Sequence, residues 1–271
     1  MQGNDGSSFP KLSNDGRYVA FLSGASNLVP GDTNQLEDIF VRDRLAGITR
    51  RVSVSTSGAQ ANAYSHVVNI SGSGRYITFV TSASNLVPGD TNGASDVFVH
   101  DLGAGTTSRV NVSTSGAQAN SPTYDAAISG DGRYITFGSL ASNLSPADTN
   151  GVSDVFVRDL RTGTTSRVDT AGREGPISGG ISDPAISADG RHIAFRSSTG
   201  DSTDEVFVHD RRAGITRRVT VADDGGQANG SSYQLAVSAD GRSVSFSSNA
   251  SNLVLDDTNN TWDVFVRTRT G

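Results

Sequence analysis

Short apolar-rich runs alternate with turn-forming clusters along the whole chain, and they return in a fixed order. SHVVNIS (65–71) stops at Gly72-Ser73-Gly74, a turn signal. RYITFVTS (75–82) follows, with Tyr76, Thr78 and Val80 on one face and Ile77 and Phe79 on the other. The loop ASNLVPGDTNGAS (83–95) carries Pro-Gly and Asn-Gly turn pairs. DVFVHDL (96–102) is a third run, and Gly105 sits in a short connection to a fourth, TTSRVNVS (106–113). This order predicts four strands in an antiparallel meander. No stretch shows the apolar period of a helix.

The meander is written more than once. Phenylalanines stand at Phe21, Phe40, Phe79, Phe98, Phe137, Phe156, Phe195, Phe207, Phe246 and Phe265, with gaps of 19, 39, 19, 39, 19, 39, 12, 39 and 19. The chain is therefore a unit of 58 residues in five copies, with seven residues deleted from the fourth. A fixed period of this size marks a repeat architecture. The third strand of each copy is apolar on both faces, at 39–41, 97–99, 155–157, 206–208 and 264–266. Such a strand is sandwiched, and tandem meanders covered on both faces are blades around an axis. The prediction is an all-β, single-domain β-propeller with blades at about 1–58, 59–116, 117–174, 175–225 and 226–271.

The ends fall at defined phases. Gln2-Gly3-Asn4 is in register with Gln60-Ala61-Asn62, and Gly271 with Ala104. Blade five thus lacks its outermost strand. A five-bladed ring with one three-stranded blade and a segment of a longer array both fit.

The run LSNDGRYVAF (12–21) recurs as ISGDGRYITF (128–137) and ISADGRHIAF (186–195), followed by DVFVRDLRTG (154–163). This resembles the TolB-like propeller repeat of bacterial proteins, and the resemblance covers all five copies. It implies the propeller fold, a bacterial origin and an extracellular or periplasmic location. It leaves activity open, because propellers of this kind serve as docking surfaces, sensors and gates on peptidases. The long SNLVPGDTN loop departs from the usual shorter unit, so no TolB-type partner is carried over.

Composition narrows the classes. A net charge of −6 with interspersed signs disfavours nucleic acid and anionic membranes. No apolar run is long enough to insert in a bilayer, and no signal peptide is legible. The chain has no cysteine, which excludes thiol chemistry. Lys11 is the single lysine, with no glycine-rich loop before it, and no Gly-x-Ser-x-Gly elbow occurs.

Repetition also accounts for most polar residues. Seventeen of the 28 acids hold repeat positions, and positions that share one environment are poor candidates for a catalytic carboxylate pair. The others, among them Asp125, Asp183 and Asp204, form no motif along the chain. Arg17, Arg75, Arg133, Arg191 and Arg242 suit a structural ladder of ion pairs with carboxylates such as that of Asp101.

The sharpest lead is the array Asp-x-Asn-x-x-x-Asp. It occurs as Asp32/Asn34/Asp38, Asp90/Asn92/Asp96, Asp148/Asn150/Asp154 and Asp257/Asn259/Asp263. Alternating oxygen ligands on a tight loop suit Ca²⁺. The array lacks the distal Glu of an EF-hand, and Asx side chains also cap turns, so both readings stand. In a propeller this loop shares a rim with the connection between blades. The rim then carries Gln60, Asn62, Gln118, Asn120, Gln227 and Asn229, and Trp262 as a possible anchor. Blade four breaks the pattern, with Pro176 and Ser178 in place of Gln and Asn.

These features predict a non-catalytic propeller, without an organic cofactor, that binds a protein through its loop rim. A multivalent lectin taking glycan there is the alternative, and a five-bladed glycosidase a further one. The bare edge of blade five is expected to invite self-association.

Overall fold

The computed structural model describes residues 2–146, 148–168, 180–198, 203–222 and 224–269; among them every regular element is a strand. Pro176 and Ser178 lie outside the described residues, as does most of the shortened loop of blade four. Blade one holds β1 (Ser7–Leu12), β2 (Tyr18–Ser23), β3 (Asp38–Asp43) and β4 (Ile48–Arg51). Blade two holds β5 (Ser65–Ile70), β6 (Tyr76–Thr81), β7 (Asp96–Asp101) and β8 (Thr106–Arg109). Blade three holds β9 (Thr123–Ile128), β10 (Tyr134–Ser139), β11 (Asp154–Asp159) and β12 (Thr164–Arg167). Blade four holds β13 (Ile181–Ile186), β14 (His192–Ser198), β15 (Asp204–Asp210) and β16 (Ile215–Arg218). Blade five has three strands, β17 (Ser232–Val237), β18 (Ser243–Ser248) and β19 (Asp263–Thr268). Each sheet is an antiparallel meander in chain order, as the pattern predicts.

The repeating phenylalanines are cross-strand partners. Phe79 lies opposite Phe98, and the matching pairs in all five blades stack with ring centroids 5.7–5.9 Å apart. Pairs of this kind contribute about 0.5–1.5 kcal/mol beyond the area they bury. The valines that flank the second phenylalanine face the next blade. Val97 and Val99, with Val110 and Ala119, pack against Ala126, Ile128, Ile135 and Phe137 of blade three. The same packing joins blades one to two, three to four and four to five. The third strand is apolar on both faces for this reason.

At the two ends of the array that packing stops. Val264 and Val266 of β19 are 77% and 66% exposed, and Leu12 of β1 is 60% exposed. A closed five-bladed ring would bury these faces against each other. Among the described residues these two faces are left exposed.

The Ser-x-Asp-Gly-Arg turns explain their own residues. The Asp131 carboxylate accepts from Ser129 Oγ at 2.5 Å and from the Arg133 amide at 2.9 Å. Gly132 supplies the φ of 73° that closes the turn. The arginine ladder also forms. Arg17, Arg75, Arg133 and Arg191 each meet the aspartate that ends the third strand (Asp43, Asp101, Asp159, Asp210) at 2.7 Å. These guanidinium bonds hold the carboxyls of Asp43, Asp159 and Asp210 well below their ordinary range. In blade five Thr268 takes the acid's place opposite Ser243, and Arg242 faces its own turn residue Asp240 instead.

Candidate functional site

The Asp-x-Asn arrays converge, and what lies between their carboxylates is an arginine. In blade two, Arg109 Nη1 is 3.2 Å from Asp90 and 3.2 Å from Asp96. Asn92 donates to Asp96 at 3.1 Å and to the Ala119 carbonyl at 3.0 Å. Asn111 donates to the same oxygen, Asp96 Oδ1, at 2.5 Å. Blade one repeats this with Arg51 at 2.8 Å from Asp32 and 3.2 Å from Asp38, and with Asn34 bonded to Asp38. Blade three does so more loosely, with Arg167 at 3.7 Å from Asp148 and 3.3 Å from Asp154, and Asn150 on Asp154. Blade four keeps one acid, Glu205, which meets Arg218 at 2.9 Å. Burial pushes the Asp90 carboxyl up from its ordinary value, with the charge of Asp96 adding and Arg109 opposing.

In blades one to three the guanidinium occupies the position a cation would take. Millimolar Ca²⁺ or EDTA should therefore leave the melting temperature unchanged. A rise with Ca²⁺ that Asp96→Asn removes would show the arginine displaced by the ion. In blade five Asn259 donates to Asp263 at 2.8 Å, and neither Asp257 nor Asp263 has an arginine partner among the described residues.

The rim amides are engaged as well. Gln118 accepts from Arg109 at 2.8 Å and donates to Thr91 at 2.7 Å, and Gln60 makes the matching bonds to Arg51 and Thr33. Asn62 donates to Ser84 at 3.1 Å and accepts from the Ser84 amide at 3.0 Å, while Asn85 donates back to the Gln60 carbonyl at 2.7 Å. Asn120 and Asn229 repeat this with Ser142 and Ser251. Gln227 donates to Thr203 at 3.4 Å. The Gln-Ala-Asn and Ser-Asn pairs are thus a blade-to-blade stitch.

The site that stands apart is built from residues outside the repeat. The first strand of every blade carries a β-bulge against the second, and a bulge re-aims the side chain it frees. Phe9, Val67, Asp183 and Gln234 hold the bulge at φ of 51–54°; at the matching repeat position of blade three Asp125 pairs with Gly138, and the extra residue is Tyr124. The corresponding second-strand residues are Leu22, Val80, Gly138, Arg196 and Ser247. Both columns are apolar in blades one and two and lack an apolar side chain in blades three to five.

In those later blades the polar residues meet. The Asp125 carboxylate accepts from the Gly138 amide at 2.9 Å and from the Asp183 amide of the next blade at 2.8 Å. A Cβ on Gly138 would stand 2.7 Å from Asp125 Oδ1, so the carboxylate fits because glycine is there. Burial pushes the Asp125 carboxyl up. Asp183 accepts from Arg196 Nε at 2.7 Å, and Arg196 Nη1 reaches Asp204 at 3.0 Å. The Arg196 guanidinium lies 4.8 Å over the Tyr233 ring, and Tyr233 contacts Trp262 at 5.4 Å between centroids. A hydrogen bond to Asp204 pushes the Tyr233 phenol up. Trp262 is 48% exposed.

Of the residues singled out on the rim, Trp262 alone joins this cluster. Asp125, Asp183, Asp204, Arg196 and Tyr233 carry no motif along the chain and become visible only when the repeats are aligned in columns. Two carboxylates on one guanidinium, with Asp125 close by and an exposed indole beside them, make an acidic, partly aromatic surface at the inner margin of the loop rim.

No protein-family model and no curated protein matches the sequence. Solved structures do. TolB from Acinetobacter baumannii superposes with a TM-score of 0.55 at 18% identity, over 93% of this chain and 54% of that one. The fold is that of a TolB-like β-propeller. A protein assigned as TolB from Agrobacterium tumefaciens gives 0.54 at 18% identity, over 94% and 74%. One of two prolyl endopeptidases gives 0.59 at 13% identity, over 98% of this chain and 37% of that enzyme. The chain spans about half of the Acinetobacter protein and about three quarters of the Agrobacterium one. TolB-like propellers thus share blade geometry with a peptidase, and the geometry alone separates neither role.

Proposed function

We propose that this chain is a non-catalytic binding module of the extracellular or periplasmic space, which takes a protein partner on the inner margin of the rim in blades three to five. The observation that carries the reading is the asymmetry of the bulge column. Matching repeat positions hold Phe9 and Val67 on one side, and Asp125, Asp183 and Gln234 on the other. Structural repetition does not call for that change, and a ligand contacted by one side of the array would account for it.

The chemistry of the cluster suits recognition. Both oxygens of Asp125 are taken by backbone amides, and Asp183 and Asp204 share Arg196. The remaining hydroxyl of the cluster, the Tyr233 phenol, is itself bonded to Asp204. An exposed indole on a phenol ring, rimmed by paired charges, is the composition of an interface anchor. The same pair beside carboxylates also favours a second reading, a single glycan site with Trp262 as its stacking platform.

Capture from the organism's extracellular and periplasmic fractions tests both. Trp262→Ala should weaken the captured protein by about 2 kcal/mol or more, the loss typical of an anchor, with an unchanged melting temperature. Equal capture by the variant overturns the reading. Binding on a glycan array that Trp262→Ala abolishes would favour the sugar, and turnover of any glycoside would favour a glycosidase.

A further inference from the structure

We propose that the cleft between blades one and two, on the face opposite the loop rim, binds a small organic monocarboxylate with an apolar body. The inference is independent of the site above.

The cleft lies where the strand-joining turns of the two blades meet, and its volume is about 390 Å³. Tyr18 forms one wall. The Arg17 guanidinium lies 4.8 Å over its ring, and Gly74 of blade two sits so close on the ring that no Cβ would fit between them. Val41, Ile48 and Leu102 line the cleft with apolar surface. Ile48 is 47% exposed, where blades two and three carry Thr106 and Thr164.

Two repeat columns give this seam a charge of its own. Arg50 projects from the fourth strand of blade one, and the same position is Ser108 in blade two and Ser166 in blade three. The turn position held by Asp15, Asp131, Asp189 and Asp240 is Ser73 in blade two. Blade four carries Ile215 and Arg217 at the places of Ile48 and Arg50, but the turn that faces them keeps its acid, Asp240. Only between blades one and two do the arginine and a neutral turn coincide.

The other cations of the cleft are already matched. Arg17 grips Asp43 and Arg75 grips Asp101, each through two hydrogen bonds of 2.7–3.0 Å. Arg50 has no hydrogen-bond or ion-pair partner among the described residues. One unpaired guanidinium selects one negative charge, and its planar fork matches a carboxylate bidentately. A phosphate dianion would call for a second free cation. Ser73 removes the carboxylate that the other turns would set against an anion. The apolar walls take the hydrocarbon part, and the volume is that of a small-ligand site.

The probe is phenylacetate, titrated into the ¹⁵N-labelled protein and followed by amide shifts. Saturable shifts are expected at residues 17–18, 48–50, 73–75 and 102. The neutral phenylacetamide and the small acetate should each bind about tenfold more weakly or worse. Arg50→Ser and Ser73→Asp install the residues that other blades use at these places, so both should keep the parent's melting temperature. Arg50→Ser should weaken phenylacetate about tenfold or more, and Ser73→Asp should weaken it in the same direction. No saturable binding, equal affinity for phenylacetamide, or shifts centred outside this seam overturn the proposal. So do an Arg50→Ser variant that binds as the parent does, and phosphate that binds more tightly than phenylacetate. The ligand series is read on the unaltered protein, so a folding defect in either variant does not spoil the test.

Discussion

Arg109→Ala should be among the most damaging single changes in this protein. The side chain is 10% exposed and lies between two carboxylates that are 4% and 0% exposed. Its removal leaves two buried negative charges facing each other. Breaking a buried pair in this way costs about 3–5 kcal/mol. At roughly 2–4 °C per kcal/mol for a chain of this size, the melting temperature should fall on the order of 10 °C. Arg75→Ala deletes the same charge from the same blade, but Arg75 is 53% exposed, and its loss should be far smaller.

The defect should also depend on pH. Burial raises the Asp90 carboxyl, and Arg109 opposes that rise. Without the arginine the folded-state value climbs further above the unfolded one. The folded variant then holds protons that the unfolded chain releases, so its stability falls as pH rises between the two values. Arg109→Ala should therefore be worst near neutrality and recover part of its deficit toward the ordinary carboxylate range. Thermal melts of both variants across that range check this. Equal losses, or a deficit that does not change with pH, would contradict the buried-triad account.

Gly132→Ala should rank beside it. Gly132 adopts φ of 73°, and an added Cβ would stand 2.5 Å from Cδ2 of Tyr76 in the preceding blade. The left-handed backbone costs an L-residue about 1–2 kcal/mol, and forcing a methyl group into packed surroundings costs about 1–3 more. Gly151 separates the two contributions. Its φ is 71°, yet nothing lies within 4 Å of the added atom, so Gly151→Ala should show the backbone cost alone. The excess in Gly132→Ala then measures how tightly a turn of one blade sits on the tyrosine of its neighbour. Tyr76→Ala in the same chain should relieve that excess.

The fold is legible in the sequence because each blade repeats the same physical problem. The phenylalanine spacing is the register of a cross-strand pair, and the Val-Phe-Val strand is apolar on both faces because a neighbour covers each. The Asp-Gly-Arg turns and the arginine ladder follow from local chemistry within one unit. The role of the Asp-x-Asn arrays is less legible, since their partner comes from the following strand. A trace of it exists. Asp38 and Arg51, Asp96 and Arg109, Asp154 and Arg167, and Glu205 and Arg218 all stand 13 residues apart. The cluster of Asp125, Asp183, Arg196 and Tyr233 is hidden for the opposite reason. Its members come from three copies and, apart from Asp125 and Asp183, share no repeat position, so they read as drift until the strand register places them side by side.

The central claim is that a partner sits on one side of the array, over the substituted inner strands. Hydrogen exchange of the captured complex against the free chain tests it most directly. Protection is expected in Ile181–Ile186, Ser232–Val237 and the loop that carries Trp262, with Ser7–Leu12 and Ser65–Ile70 exchanging as in the free protein. Protection confined to blades one and two, or spread equally over all five, would contradict the account.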